Sequence, residues 1–147
     1  MTLSVHRTTE WPYERIARYG PDITREMKRL AERFPDDATL DSLFDDYRAG
    51  RVELWLVLKG DAFVSMGFTQ IETIDATGIR YLGLIRFAGK DIKDTMPLIT
   101  EAEVYARSLG ITHVRVIGRE GWGRMFKPYG YSPLRTVFEK KLEEGAA

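Results

Sequence analysis

The spacing of apolar residues changes period along this chain, and each change marks an element. Ile23, Met27, Leu30 and Phe34 recur at i, i+4, i+7 and i+11, the single stripe of a helix whose other side carries Arg25, Glu26, Lys28 and Arg29 toward water. Asp22 is placed to cap that helix, and Pro35 cannot extend it. Thr39 caps a second helix, with Leu40, Leu43, Phe44 and Tyr47 at i, i+3, i+4 and i+7 and Gly50 as its stop. From there the β-branched and aromatic residues crowd together. Residues 52–59, 62–73 and 79–88 read as three strands, joined by Gly60-Asp61 and by Asp75 to Gly78, which is an antiparallel meander.

A helical period returns over 95–109, where Leu98, Ala102, Ala106 and Leu109 form the buried stripe and Gly110 the stop. A strand follows over 112–117. A strand, helix and strand in that order form a crossover, so this strand lies parallel to the one ending near Ala88 and splays from it at the helix end. A short helix then runs through Trp122 and Phe126 to Tyr129-Gly130-Tyr131, residues 134–142 alternate as an edge strand, and the final EEGAA frays. At the other end, Leu3 to Arg7 reads as a short strand and Pro12 opens a helix reaching Tyr19. The fold class is α/β (α+β): a mixed sheet with helices on both faces.

Composition narrows the function. The 147 residues suit one domain, and the 22 basic and 22 acidic side chains cancel, so no field favours nucleic acid or anionic lipid. Cysteine is absent, which removes disulfides, thiolate nucleophiles and cysteine zinc sites. His6 and His113 are the two imidazoles, far apart in sequence and without neighbours at ligand spacing, so no metal site is expected. No stretch has the apolar length of a signal peptide or membrane span, and a soluble cytoplasmic protein is expected.

The order of elements resembles the GNAT (Gcn5-related N-acetyltransferase) superfamily. The resemblance is carried by Glu103-x-x-Ala106-x-x-x-Gly110 leading into a strand and by the corner Tyr129-Gly130-Tyr131. It implies a single domain over 1–147, with a helical part (1–50), a sheet and cofactor half (51–142) and a tail (143–147). Ala88-Gly89-Lys90 and Gly118-Arg119-x-x-Gly121-Trp122 are also similar in style to small GNAT-like proteins of tailed bacteriophages.

Active members of that superfamily hold the acetyl-CoA pyrophosphate in a loop of the form Arg/Gln-x-x-Gly-x-Gly/Ala, because only glycine lets backbone amides approach so closely. The corresponding stretch here, residues 90–95, contains no glycine and carries Asp91 and Asp94, which repel an anion. Gly89, Lys90, Lys93 and Thr95 are the residues left to serve a cofactor. The tyrosine that protonates the leaving thiolate falls on Phe126, which has no proton to give, while Arg119 and Trp122 replace the asparagine and the small residue before it. Tyr129 and Tyr131 keep hydroxyls at a corner where aromatic residues usually serve the core. Glu53, Glu72 and His113 are candidate bases that strand position alone also explains as solvated.

Two readings follow, and the absent glycines and tyrosine favour the first. One is a catalytically degenerate GNAT-like module, with no cofactor, acting through a protein partner or self-association in a host cytoplasm or virion; Trp122 and Phe126, four apart on one helical face, are its candidate anchors. The other is an acetyl-CoA-dependent N-acetyltransferase of some amine.

Overall fold

The computed structural model describes residues 2–35, 38–89, 93, 96–118, 122–135 and 137–143. The chain forms two compact units, Met1–Ile117 and Gly118–Ala147.

In the first unit, β1 (Leu3–Arg7) leads through a 3-10 turn, Thr8–Glu10, to α1 (Tyr13–Ala17), α2 (Gly20–Arg33) and α3 (Leu40–Arg48). Then come β2 (Glu53–Lys59), β3 (Ala62–Thr73), β4 (Arg80–Gly89), α4 (Met96–Ser108) and β5 (His113–Val116). The sheet order is β1-β2-β3-β4-β5, with β1 through β4 antiparallel and β5 parallel to β4. The predicted meander and crossover are both present.

Strand alternation gives the sheet two buried faces. On one, Leu54, Leu56, Leu58, Met66 and Phe68 meet Ile23, Met27 and Leu30 of α2 and Leu43 of α3 in the main core. On the other, Trp55 packs edge-on against Tyr105 of α4 with ring centroids 5.6 Å apart. Gly67 is glycine here because a Cβ would stand 3.1 Å from Leu98 Cδ1 of α4. Helices therefore cover both faces.

Several sequence expectations shift at the helices. α2 begins at Gly20 with Tyr19 as its N-cap and Pro21 in its first turn, so Asp22 lies inside the helix and pairs with Arg25 at 2.9 Å rather than capping. Glu26, expected in water, is only 2% exposed. It falls at i+3 from Ile23 and so belongs to the apolar stripe, where Arg25 Nε (3.2 Å) and Arg29 Nη1 (3.0 Å) donate to its Oε1. On α4 the buried residues are Met96, Leu98, Ile99, Ala102 and Ala106; Leu109, expected in that stripe, lies past the helix end and is exposed. α3 follows expectation, Thr39 and Ser42 exchanging a reciprocal capping box and Gly50 adopting φ +73°.

The second unit contains α5 (Gly123–Phe126) and a 3-10 turn, Lys127–Tyr129, closed by Gly130 at φ +88°. Phe126 is buried, with Trp122 edge-on at 5.9 Å and Tyr131 at 5.9 Å. The strand expected over 134–142 is not formed among the described residues, and Leu134, Val137, Phe138 and Leu142 are exposed. Alternation specifies which face a strand buries once it is paired; it does not supply the pairing edge.

Candidate active site

The feature that sets this sheet apart lies along β4. Parallel pairing with β5 covers Tyr81↔His113 to Leu84↔Val116 and finishes where Ile117 N–H donates to the Leu84 carbonyl at 3.1 Å. β4 itself runs on through residues 85–89. On its other side the β3 register jumps, with Phe68 opposite Arg86 and Thr69 opposite Leu84, so Ile85 has no residue facing it. A bulge bends its strand and increases local twist. Here the bend sits at the residue where β5 leaves, and among the described residues no strand continues beside β4 over 85–89 on that side. β4 therefore outruns β5 at the end from which the chain proceeds to α4, and this unpaired edge is the candidate cleft.

An unpaired strand edge offers main-chain hydrogen bonds to an extended ligand that carries amides. The sequence candidates for holding it divide. Gly89 is the last residue of β4 and faces Ser65 of β3, whose Cβ would lie 2.6 Å from any Cβ added there. Close strand packing therefore accounts for this glycine. Lys93 is exposed. Lys90 and Thr95, with Asp91, Ile92 and Asp94, lie outside the described residues, as do Arg119 and Gly121.

The candidate bases sit elsewhere. Glu72 of β3 lies opposite Tyr81, whose hydroxyl donates to the Glu72 carboxylate, and His113 pairs with the same Tyr81 from β5. Tyr81 is four residues from Ile85, or about 13 Å along the strand, so both groups stand at the closed end of the β4/β5 pair. His113 is exposed there, its Nδ1 2.8 Å from Thr112 Oγ1. Of the second-unit candidates, Phe126 is buried, Trp122 and Tyr131 are half-buried, and Tyr129 is exposed.

Glu53 is half-buried and is not free to act as a base. Its Oε2 accepts from Arg7 Nη1 and Thr9 Oγ1, each at 2.5 Å, and its Oε1 accepts from the Tyr105 hydroxyl at 2.9 Å. Burial alone would raise its carboxyl, but the Thr9, Arg7 and Tyr105 hydrogen bonds and the Arg7 charge outweigh it and hold the group below its ordinary value. The Arg7 guanidinium also lies 4.5 Å from the Tyr105 ring centroid, and Trp55 Nε1 donates to buried Thr69 Oγ1 at 2.9 Å. This network ties β1, β2, β3 and α4 together. Among the described residues no group of three metal-ligating side chains is placed to hold an ion, and no helix is long and apolar enough to cross a membrane.

Against solved structures, a putative acetyl transferase from Pyrococcus furiosus superposes with a TM-score of 0.70 at 11% identity, over 96% of this chain and 100% of that one. The fold is the GNAT fold. A glucosamine-6-phosphate N-acetyltransferase from Arabidopsis thaliana gives 0.66 at 9% identity, over 97% of this chain and 100% of its own. A predicted acetyltransferase with acetyl-CoA from Clostridium acetobutylicum gives 0.64 at 9%, over 99% and 100%. No family model matches the chain, and no curated protein matches it by sequence. At these identities the likeness is one of fold. The bulge of β4 and its parting from β5 are the features of this chain on which a cofactor reading rests. Ile85 was not singled out by sequence reasoning, because a bulge is a property of register between two strands and has no signature within one of them.

Proposed function

We propose that this chain is an acetyl-CoA-dependent N-acetyltransferase acting on an amine. The observation that carries the reading is the cleft: β4 runs five residues past its last pairing with β5, with a bulge at the point of parting. The solved structures of a putative, a predicted and a glucosamine-6-phosphate acetyltransferase with this fold support it.

In this reading the uncovered edge of β4 over 85–89 holds the pantetheine arm by main-chain hydrogen bonds. The bulge frees backbone at Ile85 from the ladder, and in this reading a freed N–H donates to the carbonyl oxygen as it gains charge. Acetyl-CoA supplies the acetyl group as a thioester: the acceptor nitrogen forms the new C–N bond, the C–S bond breaks, and the proton lost by the amine ends on the departing sulfur. Position 126 is phenylalanine and takes no part in that proton transfer. Glu53, committed to three donors, takes none either.

Isothermal titration with acetyl-CoA tests the reading. A dissociation constant at or below about 10 μM, some −7 kcal/mol, supports it. Binding weaker than about 1 mM sinks it and returns the chain to a non-catalytic, partner-binding role.

A further inference from the structure

Between α2 and the end of β4 lies a cavity of about 170 Å³, lined by Glu26, Arg29, Leu30, Arg33, Ala88 and Gly89. At roughly 30 Å³ per water molecule it has room for about five, ample for a phosphate group. Its wall carries two guanidiniums against one carboxylate. Glu26 is the unusual member, a carboxylate only 2% exposed in the apolar stripe of α2. Burying a charge is costly unless it is paired, and Glu26 is paired with Arg25 and Arg29. The consequence for Arg29 is that one of its five N–H donors is anchored at the cavity wall, so its planar fork is held in place before any ligand arrives. Arg33, one turn further along the same helix, is exposed and has no ion-pair or hydrogen-bond partner among the described residues.

The cavity borders Gly89, the last residue of β4, and the next six residues, Lys90 to Thr95, contain no glycine. A backbone cradle for phosphate needs glycine to let the chain approach. Where backbone cannot approach, the charge has to be met by side chains, and planar guanidiniums are the side chains best matched to phosphate oxygens. We infer that this cavity is a phosphate-binding site in which Arg29, held by buried Glu26, and Arg33 do what a glycine-rich loop would do. The proposal deepens the acetyltransferase reading and rests on it for the identity of the ligand. The phosphate belongs either to the pyrophosphate of the cofactor or to a phosphorylated acceptor amine.

The test is isothermal titration of wild type, Arg33→Gln and Lys28→Gln with inorganic pyrophosphate, CoA, pantetheine and phosphoethanolamine. Lys28 is exposed on α2 outside the cavity, so its substitution removes the same charge without touching the site. Pyrophosphate and CoA are expected to bind wild type and Lys28→Gln alike and Arg33→Gln at least about tenfold more weakly, as loss of a charge-assisted contact implies. Pantetheine, which has no phosphate, is expected to show no dependence on Arg33. If phosphoethanolamine shows the Arg33 dependence and CoA does not, the site stands and its ligand is the acceptor. If CoA fails to bind wild type while pyrophosphate binds through Arg33, the site stands and the acetyltransferase reading falls. Equal losses in both variants, no loss in Arg33→Gln, or no binding of pyrophosphate or phosphoethanolamine to wild type overturns the proposal. Because Arg33 is exposed near the end of its helix, unchanged thermal melting of Arg33→Gln is expected and confirms that the variant is folded.

Discussion

Replacing Tyr105 by phenylalanine isolates one strand of the network around Glu53. The ring stays, and with it the edge contact to Trp55 and the stacking of Arg7, while the hydroxyl that donates to Glu53 Oε1 at 2.9 Å is lost. A hydrogen bond to a charged group contributes roughly 1.5 to 3 kcal/mol. The Glu53 side chain is 21% exposed, so water can partly replace the hydroxyl, and a net cost of about 1 kcal/mol is expected at neutral pH. For a chain of this size that lowers Tm by about 4 °C. The cost also depends on pH. Glu53 titrates below its ordinary 4.5 in the folded protein, so its contribution is fully present above that value and is lost as pH falls through the folded value. Removing one donor brings the folded value closer to the unfolded one, so wild type and Tyr105→Phe should differ most near pH 7 and converge as pH falls through the folded value. Urea denaturation at pH 7 and at successively lower pH measures both. A penalty that stays the same size as pH falls, or none at pH 7, would show that the hydroxyl does not act through the Glu53 carboxylate.

Thr69→Val leaves the buried Trp55 indole N–H without its acceptor and should cost about 1 to 3 kcal/mol, seen as a lower urea midpoint with an unchanged m-value. Leu98→Ala, at a fully buried position of α4, should cost about 2 to 5 kcal/mol by the same measurement. Gly67→Ala should cost about 1 to 3 kcal/mol alone, because its new methyl meets Leu98 Cδ1, Phe87 Cδ1 and the Arg86 carbonyl, and somewhat less in the Leu98→Ala background, which relieves the first of these, a coupling that a double-mutant cycle reads directly. Trp122→Ala, which removes the edge contact to buried Phe126, should lower thermal stability by about 2 kcal/mol; a variant that melts like wild type but loses a binding partner would instead make Trp122 a surface anchor.

What the sequence made legible was whatever a single segment encodes. The β-branched and aromatic runs of β2, β3 and β4, the turns at Gly60 and Gly78, and the Thr39 cap lie within a residue or two of their expected places because each signal is local. The features of the site escaped because each needs two segments at once. The bulge at Ile85 exists relative to β3, the cleft exists where β5 stops beside β4, and the cavity joins one helix to a strand some fifty residues later. Glu26 is the instructive case. Its place at i+3 from Ile23 and i−4 from Leu30 put it on the buried stripe, and polarity alone argued it onto the wet side. A charged residue in phase with an apolar stripe is a signal in its own right, since burial there demands partners, and Arg29 was available one turn away.

The order in which the strands lie also bears on how the cleft comes into being. β2, β3 and β4 follow one another through short turns and can zip up locally, whereas β5 reaches β4 only after the crossover through α4 has closed. Once there it is held by four residue pairs, against nine between β3 and β4, and it lies at the sheet's edge. The wall that makes the opening is thus held by fewer residue pairs than any other strand of this sheet. An edge strand held so lightly is where local opening of a sheet is expected first, and opening here would bare more of β4 without disturbing its nine pairs to β3.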